Sequence, residues 1–183
     1  DKPFHWRGTE LPVESVTWTE AMKYCDELTQ LEQDSGELDG NWKFSLPTEV
    51  QWEYACRSGT QTTFNIGNNI TGEDANINAS IPYGISDRGK KSFNTIKCGS
   101  FNPNRSGFYD MHGNVWEWCL DWYYPNNLSF TDVLIPKDGL YKVKKGGSWF
   151  NGPQNVRSAK RFYRSQKYRH ETLGFRVALI KIK

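Results

Sequence analysis

Two stretches of the chain carry apolar residues at helical spacing, each opened by a paired polar signal. Trp18, Ala21, Met22, Cys25 and Leu28 fall on one face through to about Glu32. Thr17-x-x-Glu20 in front of them reads as a capping box. Thr48-x-x-Gln51 is a second box; Trp52, Ala55 and Cys56 continue that helix until Gly59 stops it. LPVESV at Leu11–Val16 predicts a short strand, and Phe44–Pro47 an extended approach to the second helix. YKVKKGGS, Tyr141–Ser148, resembles a strand ending in a Gly-Gly turn. GFRVALIKI, Gly174–Ile182, alternates and predicts one closing strand.

Elsewhere regular periodicity is absent. Asp34–Trp42 is a polar loop, and Gln61–Pro103 is dominated by Asn, Gly, Ser and Thr. A stretch that long inside a domain is either packed and tied down or disordered, and a bound cation is one way to order it. Tyr123–Lys137 is irregular too, and Asn151–Thr172 is polar, basic and aromatic without a clean period. The elements predict an α+β fold without internal repeats, with one domain over residues 1–183.

One segment concentrates both packing and chemistry. Gly107–Trp122, GFYDMHGNVWEWCLDW, holds three tryptophans beside Asp110, Asn114, Glu117 and Asp121. Rings at that density dominate a core, whereas the acids and amide must be paired, hydrogen-bonded, exposed or bound to a cation.

Composition changes this picture in four ways. Apolar content is modest at 37% but aromatics reach 15%, so rings rather than aliphatic helices fill the interior. No run approaches the length of a membrane span. The net charge of +2 hides an asymmetry: residues 141–183 carry twelve Lys/Arg and one acid, a net +11, against eleven Lys/Arg and twenty acids, a net −9, in residues 1–140. Either the two parts neutralise each other on packing, or a basic surface faces an anionic partner. Cys25, Cys56, Cys98 and Cys119 form no CxxC, which argues against zinc; two disulfides stay open, as does the compartment, cytoplasmic or exported with a leader removed.

Five stretches resemble one family in order: LPVESVTWTEAMKYCDEL, LPTEVQWEYACRSGT, GFYDMHGNVWEWCLDW, KGGSW and LGFRVAL, spanning Leu11 to Leu179. They are similar to the formylglycine-generating-enzyme, or sulfatase-modifying-factor, family. The resemblance implies a variant of the C-type lectin fold, with two helices, short antiparallel strands and extensive ordered loops. That fold hosts copper-dependent oxidases, iron-dependent sulfoxide synthases and the non-catalytic variable proteins of diversity-generating retroelements.

The oxidases place two thiolate ligands for Cu(I) between the GGSW and GFR motifs. Alignment on Arg164-Ser165 puts those slots at Val156 and Arg161, and residues 120–183 hold no cysteine, so copper is not expected. The synthases use three histidines, mostly from a separate domain; this chain has His5, His112 and His170. Glu49 and Glu53 share a helix face and read as salt-bridge or capping residues. The resemblance also implies structural calcium, held by Asp110 and Glu117 side chains with the carbonyls of Met111, Gly113 and Val115. A second site would use Asn76, the Ile77 carbonyl and Asp87. Alternatively Asp110 and Glu117 bond backbone amides and hold no ion.

In the variable proteins, the segment between GGSW and GFR carries the diversified ligand contacts. Here that segment offers Phe150, Lys160, Phe162, Tyr163, Gln166, Lys167, Tyr168 and His170. Rigid rings with adaptable polar groups suit a binding face. The expectation is a non-catalytic, monomeric domain binding a protein or other macromolecule through residues 148–172. The alternatives are an enzyme of the same family with other oxidative chemistry, or binding of polyanion or nucleic acid. A blander reading packs Arg157, Arg161 and Phe162 against the central motif.

Overall fold

A computed structural model describes residues 8–84, 89–125 and 139–182. Both capping boxes form. Helix α1, Trp18–Asp34, starts at Thr17, whose hydroxyl accepts from the Glu20 amide while Glu20 reaches back to the Thr17 N–H. Helix α2, Glu49–Arg57, is closed the same way by Thr48 and Gln51. Asp121 Oδ2 accepts from the Glu49 N–H at 2.6 Å, adding an acid to that N-terminus. Ser58 and Gly59, both left-handed, end α2.

Strand β1, Trp42–Ser45, leads into α2. The central motif supplies β2, Trp116–Trp122, and the KVKK run supplies β3, Lys142–Lys145. β4 (Phe162–Arg164), β5 (Leu173–Phe175) and β6 (Ala178–Lys181) follow. Four strands form one sheet in the order β4-β3-β2-β5, with β2 and β5 parallel. β1 and β6 form a separate antiparallel ribbon.

Two strand expectations need correction. LPVESV contributes a single bridge, Glu14 to Gly174, because Ser15 turns left-handed at φ 58. Gly174–Ile182 is two strands in two sheets, broken at Arg176 and Val177, since Arg176 turns in to pair with Glu117.

Three apolar clusters hold the elements. α1 packs Ala21 and Cys25 against Trp116, Trp118 and Leu173. α2 packs Trp52 and Cys56 against Met111, Cys119 and Val143. The third gathers Phe64, Ile70, Ala75, Ile77 and Ala79 of the long polar stretch around Val156. That stretch is therefore packed, and hydrogen bonds tie it down. Asn114 accepts from the Ile96 N–H and the Asn76 amide and donates to the Ile96 carbonyl. The four cysteines are free thiols: Cys25, Cys56 and Cys119 are buried as small apolar groups, whereas Cys98 is exposed. Among the described residues no helix is long and apolar enough to cross a membrane.

Candidate functional site

β4 is an edge strand, and its side chains join a run of stacked rings. Tyr163 lies 4.1 Å from Tyr123, 5.1 Å from Tyr141 and 5.8 Å from Phe162, centroid to centroid. The Arg164 guanidinium sits 4.9 Å from the Phe162 ring and 5.3 Å from Tyr168, and Tyr168 stacks on His170 at 6.1 Å. Each ring is held by its neighbours, so the strip presents contact area with little rotamer freedom left to lose.

The eight segment residues expected to touch a ligand divide accordingly. Phe162, Tyr163, Tyr168 and His170 belong to the strip; Tyr163 and His170 are exposed, Phe162 and Tyr168 half-buried. Lys167 is exposed on the following turn, and Lys160 is half-buried before β4. Gln166 is half-buried and its carbonyl accepts from the Trp18 N–H, so its backbone has a structural duty. Phe150 is 57% exposed but sits in another neighbourhood, edge-on to Trp149 and under Lys91.

The strip rests on a strand of buried lysines. Lys145 is fully buried and bonds Glu53 at 2.9 Å, with Glu49 at 3.8 Å. Glu49 also takes Arg161 at 2.6 Å, and Arg161 stacks on Tyr123. Burial works to raise Glu53, but Lys145 and Arg57 outweigh it and hold its carboxyl below the usual value. Lys142 is clamped between Trp18 and Trp122, 3.9 and 3.7 Å from their centroids, and donates to the Leu120 carbonyl; burial pulls it down to about 8. Lys144 lies 4.4 Å from the Trp116 centroid and 5.2 Å from Phe162. Burial, with Arg164 adding to it, pulls Lys144 down to about 7.

The neutralising reading of the charge asymmetry holds in part. Glu20–Arg169, Glu49–Arg161, Glu53–Lys145 and Glu117–Arg176 neutralise across the two parts of the chain. Among the described residues, Lys144, Lys160, Arg164 and Lys167 have no carboxylate within ion-pair distance.

The two slots between GGSW and GFR carry no sulfur chemistry. Val156 is fully buried in the third cluster, and its carbonyl accepts from His112 Nδ1 at 2.7 Å. His112 Nε2 accepts from the Asn65 N–H, which fixes the neutral tautomer, and burial pulls its pKa down to about 4. The nearby Cys56 thiol is pushed up to about 12 by burial, so it is inert. Arg161 is committed to Glu49 and to the Tyr124 carbonyl.

A second feature escaped sequence reasoning. Asp110 and Glu117 face an open cleft of about 960 Å³ whose walls include Val13, Tyr24, Phe108, Tyr109 and Phe175. These come from separated segments, which is why no local pattern marks them. Glu117 is gripped by Arg176 through both oxygens at 2.8 Å and by Trp52 Nε1 at 2.6 Å. Burial raises the Asp110 carboxyl and Glu117 adds to it, against the Gly99 amide and Arg176. One guanidinium therefore serves two carboxylates. Asp110, Gly113 and Asn114 are all left-handed, at φ 56, 86 and 58, so the chain turns sharply between the two acids. Excess negative charge and hard oxygen donors at such a turn fit a calcium ion, although Glu117 would share it with Arg176. At the second implied site, Asn76 Oδ1 accepts from Ser92 and the Ile77 carbonyl from the Ala79 N–H; Asp87 lies outside the described residues.

The architecture matches known proteins. Residues 3–181 match the sulfatase-modifying factor enzyme 1-like domain, and the chain belongs to that family. It is 34% identical over 179 residues to the formylglycine-generating enzyme of Mus musculus, covering 91% of this chain and 44% of that protein. It is 31% identical over 176 residues to the serine/threonine-protein kinase pkn1 of Chlamydia caviae, covering 91% of this chain and 24% of the kinase. The chain thus spans less than half the length of these relatives. Treponema denticola variable protein 1 shares the fold at a TM-score of 0.78 with 24% identity, over 99% of this chain and 78% of the other. PvdO from Pseudomonas aeruginosa follows at 0.73 and 26%, over 97% and 65%.

Proposed function

We propose that this domain is a non-catalytic binding module that engages a protein ligand through the strip on β4 and the turns after it. The carrying observation is the continuous stack from Tyr141 and Tyr123 through Tyr163, Phe162 and Arg164 to Tyr168 and His170. The neighbouring slots support the same reading: Val156 is core and Arg161 is an ion-pair partner, so neither offers a thiolate. The fold shared with the Treponema variable protein is compatible with a receptor role.

Sequencing the gene from many isolates tests this. Substitutions should concentrate at exposed positions such as Tyr163, Lys167 and His170 while Gly146–Trp149 and Leu173–Arg176 stay fixed. An unvarying strip, together with oxidation of a cysteine-containing peptide by the copper-treated protein, would instead establish the oxidase reading.

Calcium in this reading is structural. Asp110 and Glu117 would hold it with the carbonyls of Met111, Gly113 and Val115, bracing the turn before β2. Calcium should raise the melting temperature of the wild-type protein and leave that of Asp110→Asn unchanged. If a chelator and calcium give the same melting temperature for the wild type, the ion has no place here.

A further inference from the structure

Within the proposed binding strip, Lys144 and Arg164 differ from the partnered cations around them. Lys145 has Glu53, Arg161 has Glu49, Arg176 has Glu117, and Lys142 has two indole faces and a carbonyl. Lys144 keeps only 5% of its surface, yet its neighbours are the rings of Trp116 and Phe162 and the like-charged Arg164. The Arg164 guanidinium touches the same Phe162 ring, and its hydrogen bond goes to the adjacent Tyr163 carbonyl. Two cations against one ring, without an anion among the described residues, form an arrangement that costs stability and is completed by an incoming negative charge.

We propose that Lys144 and Arg164 form an anion subsite that receives a carboxylate side chain of an acidic protein ligand. The inference rests on the strip being the binding surface. A protein carboxylate fits better than a nucleic-acid backbone. The subsite is a single point with one cation sunk behind a ring, which suits one side chain entering end-on. A phosphate backbone follows a line of exposed cations and needs open ring faces for its bases. Here Tyr163 is already covered by Tyr123, and Tyr168 by His170. An arriving carboxylate would also draw a proton onto Lys144, so binding and protonation are linked.

Among the described residues, Arg164 is the one charged group that bears on Lys144; the neighbouring strand β2 contributes the Trp116 ring and, opposite Lys144 in register, Trp118. The experiment is an NMR titration of lysine-labelled protein, with the Lys144 signal identified by its loss in Lys144→Met. The probe is the blocked peptide Ac-Glu-Glu-Glu-Glu-NH2 at low ionic strength; single-stranded dT8 is the parallel arm. The peptide should raise the Lys144 proton affinity about tenfold, and by linkage should bind about tenfold more tightly below neutral pH than well above it. Arg164→Gln should abolish both effects. A Lys144 midpoint that saturating peptide leaves in place overturns the subsite. A midpoint moved by dT8 and not by the peptide overturns the carboxylate assignment. Either failure leaves the strip standing if isolates still vary there; an invariant strip removes the surface itself.

Discussion

Replacing Lys144 with methionine should make the protein more stable at pH 6, an unusual outcome for a nearly buried position. Burial, reinforced by Arg164, takes the lysine from 10.5 down to about 7. At about 1.4 kcal/mol per tenfold in proton affinity, the folded state disfavours the charged form by roughly 5 kcal/mol. The net penalty at pH 6 is therefore about 5 kcal/mol, and methionine of similar length removes it. The sign with pH follows from proton counts. Between about 7 and 10.5 the unfolded chain holds a proton on Lys144 that the folded chain has lost, so wild-type stability rises with pH across that window. By pH 9.5 the wild-type penalty is about 1 kcal/mol, and the advantage of the variant shrinks to match. Urea unfolding followed by tryptophan fluorescence, at pH 6 and pH 9.5, measures both. A variant less stable than wild type at pH 6, or a difference that does not change with pH, would refute the reasoning.

Gly147→Ala should destabilise by roughly 2–4 kcal/mol. Its Cβ would stand 2.3 Å from Val156 Cγ1 and 3.1 Å from the Asn155 carbonyl, at φ +75. Calorimetry should show a melting temperature lower by several degrees. Adding Val156→Ala should recover only the steric part. Lys145→Ala removes a fully buried cation from Glu53 and Glu49; because Arg57 and Arg161 remain, the loss should sit near ~3 kcal/mol in denaturant melts. Glu53's lowered carboxyl stabilises the wild type above the usual 4.5, and that contribution is lost as pH falls through the lowered value. The variant should show a shallower acid slope.

Local signals were legible in the sequence and remote ones were not. Thr17 with Glu20 and Thr48 with Gln51 mark both helices because a capping box is complete within four residues. β3 was readable from YKVKK, yet nothing in that run says three lysines are buried. Their surroundings come from Trp18, Trp52, Glu53, Trp116, Trp122 and Phe162, far apart in the chain. The alternation of GFRVALIKI passes unchanged through the break at Arg176, so the split into two strands depends on Glu117. The segment 151–172 was singled out by composition. Which of its rings form a strip depends on Tyr123 and Tyr141, which come from outside it.

That split has a mechanical side. One continuous stretch of chain serves both sheets: β5 lies parallel to β2 in the four-stranded sheet, and β6 closes the ribbon with β1. Tension arriving through Lys181 meets the four-residue ribbon first. The Arg176–Glu117 grip lies between that ribbon and β5 and acts as a second latch. Peeling β6 away frees β1 while the central sheet, with the strip on its far edge, is still held. A load transmitted from this side of the domain would thus be absorbed before it reached the strip on β4.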